Sequence, residues 1–162
     1  MKKIKDPVVA IPLDNGVDWF LTKDITYYST VLSTSITVKN HFVFDFASVP
    51  RFFWRIFPPA TGKHRYAAVV HDWLCDTQFY SRALTDKVFY EIMISSGVSK
   101  VSAKILYWSV RLGGWYYWEN KPIEKIMKTR ALMANPRETA SCDVNWEKHK
   151  EELIWQKQRL SL

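Results

Sequence analysis

The residues of this chain best suited to chemistry are Asp45, His71, Asp72 and Asp86. Carboxylates and an imidazole brought together are the groups from which hydrolytic and metal-binding sites are built. His71 and Asp72 sit in the run YAAVVHDWL, which is otherwise apolar. A buried ionisable pair is costly unless it is paired, hydrogen-bonded or bound to metal. Asp45 follows a hydrophobic, strand-like run and opens the segment D-F-A-S-V-P, where Ser48 and backbone N–H groups can orient it. Asp86 comes one helical turn after Arg82 and shares its flank with Phe89 and Met93, at the border of an apolar face. Each residue also has a structural role open to it. His71 can be a core histidine, Asp72 can bond a loop backbone or an arginine, and Asp45 can head an Asx-turn before Pro50. Arg82 and Asp86 can form an i,i+4 ion pair. Ser48 has no G-x-S-x-G elbow around it and reads as a turn residue rather than a nucleophile.

Two chemistries fit this set. A divalent ion (Mg, Mn or Zn) on Asp45, His71 and Asp72 would acidify a water and polarise an ester or phosphoryl group. Without metal, His71 would act as general base with a neighbouring Asp orienting it. Ser48, Arg82 and Arg111 complete the set as binding, anion-holding or orienting groups. His64, two turns before His71, is a further candidate ligand but is expected to be exposed at its helix start. The spacing does not separate these chemistries from an inert salt-bridge network.

The elements that must position these residues follow from the pattern. Residues 8–12 form a short strand or arm, Asp14-Asn15-Gly16 a turn, and 18–21, 25–28, 31–38 and 42–44 strand-like runs rich in β-branched and aromatic residues. The first third is therefore a small, mostly antiparallel sheet. Pro50, Pro58 and Pro59 punctuate an aromatic loop over 51–57, and a buried helix begins near His64 or Arg65. Ser81 caps the next helix, which buries Leu84, Val88, Phe89, Ile92 and Met93 and ends at Ser95-Ser96-Gly97. Ser99 caps a third helix with Val101, Ile105, Leu106, Trp108 and Val110 inside, stopped by Gly113-Gly114. For the aromatics at 115–118, packing in the core or between elements is a simpler role than a ligand platform. After Asn120 the chain is polar and loses its period, with a break at Asn135-Pro136 and an amphipathic stretch over 146–160. The expected architecture is α+β: a small antiparallel sheet, about three core helices, and a polar, partly helical C-terminal extension. Residues 1–120 would be one domain, and 121–162 an extension docked on it or on a partner.

At 162 residues, with 48% hydrophobic side chains and eight Trp, the chain suits one globular domain and not a disordered one. Cys75 and Cys142 are too few and too far apart for a disulfide framework or a zinc–thiolate site, so a reducing compartment is the simpler setting. A net charge of +7 is compatible with nucleic acid or an acidic surface, although neither is favoured over simple solubility. The N-terminus lacks the apolar core of a signal peptide, and the most apolar stretch, 105–118, is too short and too interrupted to span a bilayer.

The ordered segments D-F-A-S-V-P at 45–50, A-A-V-V-H-D-W-L at 67–74, Ser81-Arg82 through Asp86, and Val110-Arg111 through Gly114 resemble the motif set of a family of short bacterial and phage proteins of unknown function. That pattern runs roughly G-F-x-T-D-F-A-S-V-P, A-A-x-x-H-D-W-L-Y, S-R-x-x-x-D and V-R-x-x-G, and the likeness covers about residues 18–118. The chain departs from it at His41, Phe44 and Cys75, where the pattern has Gly, Thr and Tyr. The resemblance implies a phage or prophage origin, in the cytoplasm of a bacterial host or in a virion, and supplies no catalytic roles. The expected function is a hydrolase with Asp45, His71, Asp72 and Asp86 at its site, metal-dependent or not. The alternative is a non-catalytic virion or tail component, or a binder of a host factor, self-assembling or joined to other phage proteins, with the motif residues structural. An all-helical His-Asp phosphohydrolase is disfavoured by the β-rich segment before the motif.

Overall fold

The computed structural model describes residues 7–45 and 62–134. Ser48, the aromatic loop over 51–57, Cys142 and the stretch 146–160 lie outside them. The strands are β1 (Ala10–Pro12), β2 (Trp19–Leu21), β3 (Ile25–Ser29), β4 (Thr34–Val38) and β5 (Val43–Phe44). The helices are α1 (Arg65–Thr77), α2 (Arg82–Ser95), α3 (Lys100–Glu119) and α4 (Ile123–Ala134). β1, β2 and β5 form one antiparallel sheet in that order, and β3 pairs with β4 as a hairpin. The expected α+β architecture is present, with the strands in two small sheets and a fourth helix after the three.

The turn between β1 and β2 is built by Asn15, whose Oδ1 accepts from the N–H groups of Val17 and Asp18, while Gly16 takes a φ of +69°. Residues 31–38 do not form one strand. The chain reverses at residues 30–33 because the Glu91 carboxylate on α2 accepts from Ser29 Oγ at 2.7 Å, from the Thr30 N–H at 2.8 Å and from the Thr30 hydroxyl. This carboxylate holds the hairpin against α2.

The core lies between the sheets and α1, with α2 alongside. Ala67, Ala68, Val69 and Val70 of α1 are fully covered, and the Trp73 ring meets Phe42 edge-on at 5.1 Å. Ser81 and Ser99 cap α2 and α3 as expected, each side chain accepting a backbone N–H from the first turn. α2 buries Val88, Phe89, Ile92 and Met93.

Three expectations about the helices are corrected. Of the residues assigned to the inside of α3, only Leu106 and Val110 are buried, together with Ala103, whereas Val101, Ile105 and Trp108 face outward. α3 does not stop at Gly113-Gly114. Neither glycine has the positive φ by which a glycine terminates a helix, and the helix runs on to Glu119 before Pro122. The aromatics Trp115, Tyr116 and Tyr117 are exposed and not packed in the core.

α4 has no clean apolar period and is held largely by polar contacts. Arg130 donates from Nε to Thr77 O at 2.7 Å and from Nη2 to Gln78 O at 3.3 Å, placing a cation at the C-terminus of α1, where the helix dipole favours it. Gln78 takes the left-handed conformation there, with φ 47°. Ile126 and Thr129 supply the buried side of the helix.

A helix interior glycine with open space at its Cβ position costs about 1 kcal/mol relative to alanine. A Cβ on Gly113 would meet nothing within 4 Å. Gly113→Ala should therefore raise stability by about 0.5–1 kcal/mol in urea denaturation, and a loss of stability would show that this backbone is not helical in solution.

Candidate functional site

The site begins with the phase of α1. His71 and Asp72 are one residue apart, so about 100° of helix separates their side chains. His71 turns toward α2 and Asp72 toward the α4 side. Among the described residues this divides the expected constellation into two adjoining groups.

The first group is buried. His71 Nε2 donates to Asp86 Oδ1 at 2.8 Å, and Arg111 Nη1 donates to Asp86 Oδ2 at 2.9 Å. Arg82 stands 3.8 Å from the same Oδ2 and donates from Nη1 to Arg111 O at 2.9 Å. One carboxylate on α2 thus joins α1 to α3, with Arg82 bracing the arrangement. The His71 ring also lies 4.8 Å from that of Phe89. Burial opposes the imidazolium, but the neighbouring Cys75 sulfur and the hydrogen-bonded Asp86 carboxylate outweigh it and carry the His71 pKa up to about 10. Burial likewise opposes the Asp86 carboxylate, yet its bonds to His71 and Arg111 hold its pKa below the usual range. Both directions favour an imidazolium–carboxylate pair, in which His71 has no lone pair with which to act as base or ligand.

Cys75, one turn after His71, was not singled out for chemistry from the sequence, although i,i+4 spacing was the available signal. Its Sγ lies 3.7 Å from His71 Nδ1 and 3.8 Å from Nε2. A sulfur nearly equidistant from both nitrogens is not placed for an in-line bond to either.

The second group is more open. Asp76, one turn after Asp72, is buried and receives Lys121 Nζ, with Lys125 Nζ 3.3 Å from its other oxygen. Partial burial opposes the Lys125 charge, but Asp76 first, then Asp45 and Asp72, hold its pKa above the ordinary lysine value. Asp45 from the end of β5 and Asp72 from α1 therefore share the field of one ammonium group. Asp45 is exposed and Asp72 partly exposed. Asp76, Lys121 and Lys125 stand outside the expected set: the 121–162 extension was expected to dock on the domain or on a partner, but nothing in its pattern names Asp76 as the contact. His64, expected at the surface, is buried: Gly62 at φ +90° folds the chain back so that a Cβ there would lie 3.1 Å from His64 Cε1. Among the described residues, no three His, Cys, Asp or Glu side chains converge closely enough to hold a metal ion. None of the described helices is long and apolar enough to cross a membrane.

The fold and this pair of polar groups define a small α+β protein whose helices are joined through one buried carboxylate. The chain belongs to the family described as "Protein of unknown function (DUF1353)", whose model matches residues 19–110. It is 38% identical over 71 residues to the uncharacterized protein y4jT of Sinorhizobium fredii (strain NBRC 101917 / NGR234), covering 43% of this chain and 21% of that protein. It is 43% identical over 53 residues to the uncharacterized protein y4iH of the same strain, covering 32% of this chain and 22% of that protein. The chain thus spans about a fifth of the length of these relatives. No solved structure matches it.

The paired charges set a pH window. The His71 contribution to stability is complete below its free value of 6.5, erodes above it and is gone above about 10. The Asp86 contribution is complete above its free value of 3.8 and is lost as the pH falls below it. Stability measured by urea denaturation should therefore decline from pH 6.5 toward 10, with a shallower decline in His71→Gln. Asp86→Asn leaves Arg111 and His71 without their carboxylate and should cost about 3–5 kcal/mol at pH 7. Equal pH slopes in wild type and His71→Gln would contradict the charged pair.

Proposed function

We propose that the chain is a hydrolase, of phage or prophage origin, whose reacting groups are Asp45 and Asp72. The observation that carries this reading is a cation they share. Two carboxylates 27 residues apart in sequence, one just after a strand and one on a helix, both act electrostatically on Lys125, whose ammonium is 3.3 Å from Asp76. Carboxylates held next to a cation and open to water can activate a water molecule and accept its proton. His71, Asp86, Arg82 and Arg111 are then positioning residues that fix α1, and with it Asp72, rather than acid, base or ligand. A divalent ion (Mg, Mn or Zn) suits the oxygen chemistry of Asp45 and Asp72, whereas His71 could join it only as a neutral ring through Nδ1, with Nε2 still donating to Asp86. The phage origin rests on the resemblance of the motif set.

A second reading, a non-catalytic virion, tail or host-factor-binding protein, is favoured by one observation: the outward face of α3 is rich in exposed aromatic and aliphatic side chains. Such a face serves assembly better than catalysis.

Phosphoesters and peptidoglycan fragments form the panel that separates the readings, assayed with and without chelator and with added Mg, Mn or Zn. The hydrolase reading expects turnover of one class, lowered at least about 100-fold in Asp45→Asn and Asp72→Asn with unchanged melting temperature. Turnover that survives both substitutions would overturn the roles given to Asp45 and Asp72, and no turnover on the panel under any metal condition would favour the assembly reading.

A further inference from the structure

We propose that α3 pairs antiparallel with the α3 of a second copy of this chain. The helix carries two apolar stripes where one is usual. Ala103, Leu106 and Val110 face the core and are buried. On the opposite side stand Val101, Ile105, Trp108, Leu112 and Trp115, with exposures of 70%, 41%, 58%, 79% and 59%. Their spacing alternates between four and three residues along the whole helix, and Glu119 takes the next position in the series. A period of 3.5 keeps side chains in a straight seam along a neighbouring helix and is the pattern of helix-on-helix pairing. From Val101 to Trp115 the stripe extends over roughly 21 Å of a 20-residue helix, at 1.5 Å per residue.

The identity and direction of the partner follow from self-complementarity. Lys100 and Lys104 are exposed at the N-terminal end of the helix, and Glu119 is exposed at its C-terminal end. Parallel pairing would set lysine near lysine and glutamate near glutamate. Antiparallel pairing has a register in which Trp115 meets Ile105 of the second copy, Leu112 meets its Trp108, and Glu119 meets its Val101. Each tryptophan then packs on an aliphatic residue, and Glu119 lies beside Lys100 of the second copy at both ends. The arrangement is isologous and closes at two copies.

Sedimentation equilibrium of the full chain tests this. The wild type is expected at twice the chain mass, and Leu112→Glu at the monomer mass with an unchanged far-UV circular dichroism spectrum. Glu119→Lys should weaken the dimer about tenfold, since two exposed pairs are lost at once. The double variant Lys100→Glu/Glu119→Lys should recover the wild-type affinity. A wild type that remains monomeric at tens of micromolar overturns the proposal, as does a dimer indifferent to Leu112→Glu or to the charge exchange. A monomer that sediments with phosphatidylserine-containing vesicles would assign the stripe to a membrane surface instead, and so also overturn it.

Discussion

The structure depends on one carboxylate. Asp86 is buried on α2, receives His71 from α1 and Arg111 from α3, and has Arg82 close by. An isolated carboxylate at that depth would be expelled or protonated, so its charge persists only because the other helices bring cations to it. Conversely, His71 and Arg111 are tolerated between packed helices because Asp86 is there. The three helices are therefore registered against one another by charge as well as by the apolar contacts of Val88, Phe89 and Ile92. Replacing a buried ionic cluster by apolar side chains is often stabilising, so the cluster is better understood as fixing the relative placement of α1, α2 and α3 than as a source of stability.

That placement reaches the open group through α1. Asp72 and Asp76 leave the helix on the side away from Asp86, so the rotation of α1 set by His71 also sets where they point. Lys121, just before α4, and Lys125 within it then neutralise Asp76, and Arg130 of α4 covers the last carbonyls of α1. The polar features of α1 are thus satisfied on two sides by different helices, and Asp45 arrives from β5 at the edge of the second. Asp45 and Asp72 both act on the Lys125 charge that neutralises Asp76, which ties this region electrostatically to the α1–α4 contact.

Much of this was legible in the chain itself, for local reasons. Ser81 and Ser99 are followed by helix-forming runs, and both cap as read. The alternation in the first third indicated short antiparallel strands, and the apolar period of α2 indicated its buried face. The pairing of Asp86 with Arg82 and its approach to the His71 helix were also legible, since Asp86 stands at the border of that face. What was not legible depended on distant partners. The reversal after Ser29 requires Glu91, some 60 residues away. The helical course through Gly113-Gly114 runs against the local glycine signal. α4 docks through cations on Asp76 and the α1 carbonyls, which leaves no apolar period to read. The composition of α3 could not say which of its two stripes faces the core, and residues of both, the buried Leu106 and Val110 with the exposed Val101, Ile105 and Trp108, were assigned to the inside. The division between His71 and Asp72 follows from helix geometry, but their sequence adjacency made them look like one site.

The charge state of His71 is the point on which the account turns, because it decides whether this residue positions α1 or performs chemistry. Its ring nitrogens can be followed directly by ¹⁵N-detected NMR across pH. The account predicts an imidazolium with both nitrogens protonated at pH 7 and a titration near pH 10, moved toward the free value in Asp86→Asn. A neutral ring at pH 7 that titrates near 6.5 would contradict it and return His71 to the roles of base or metal ligand.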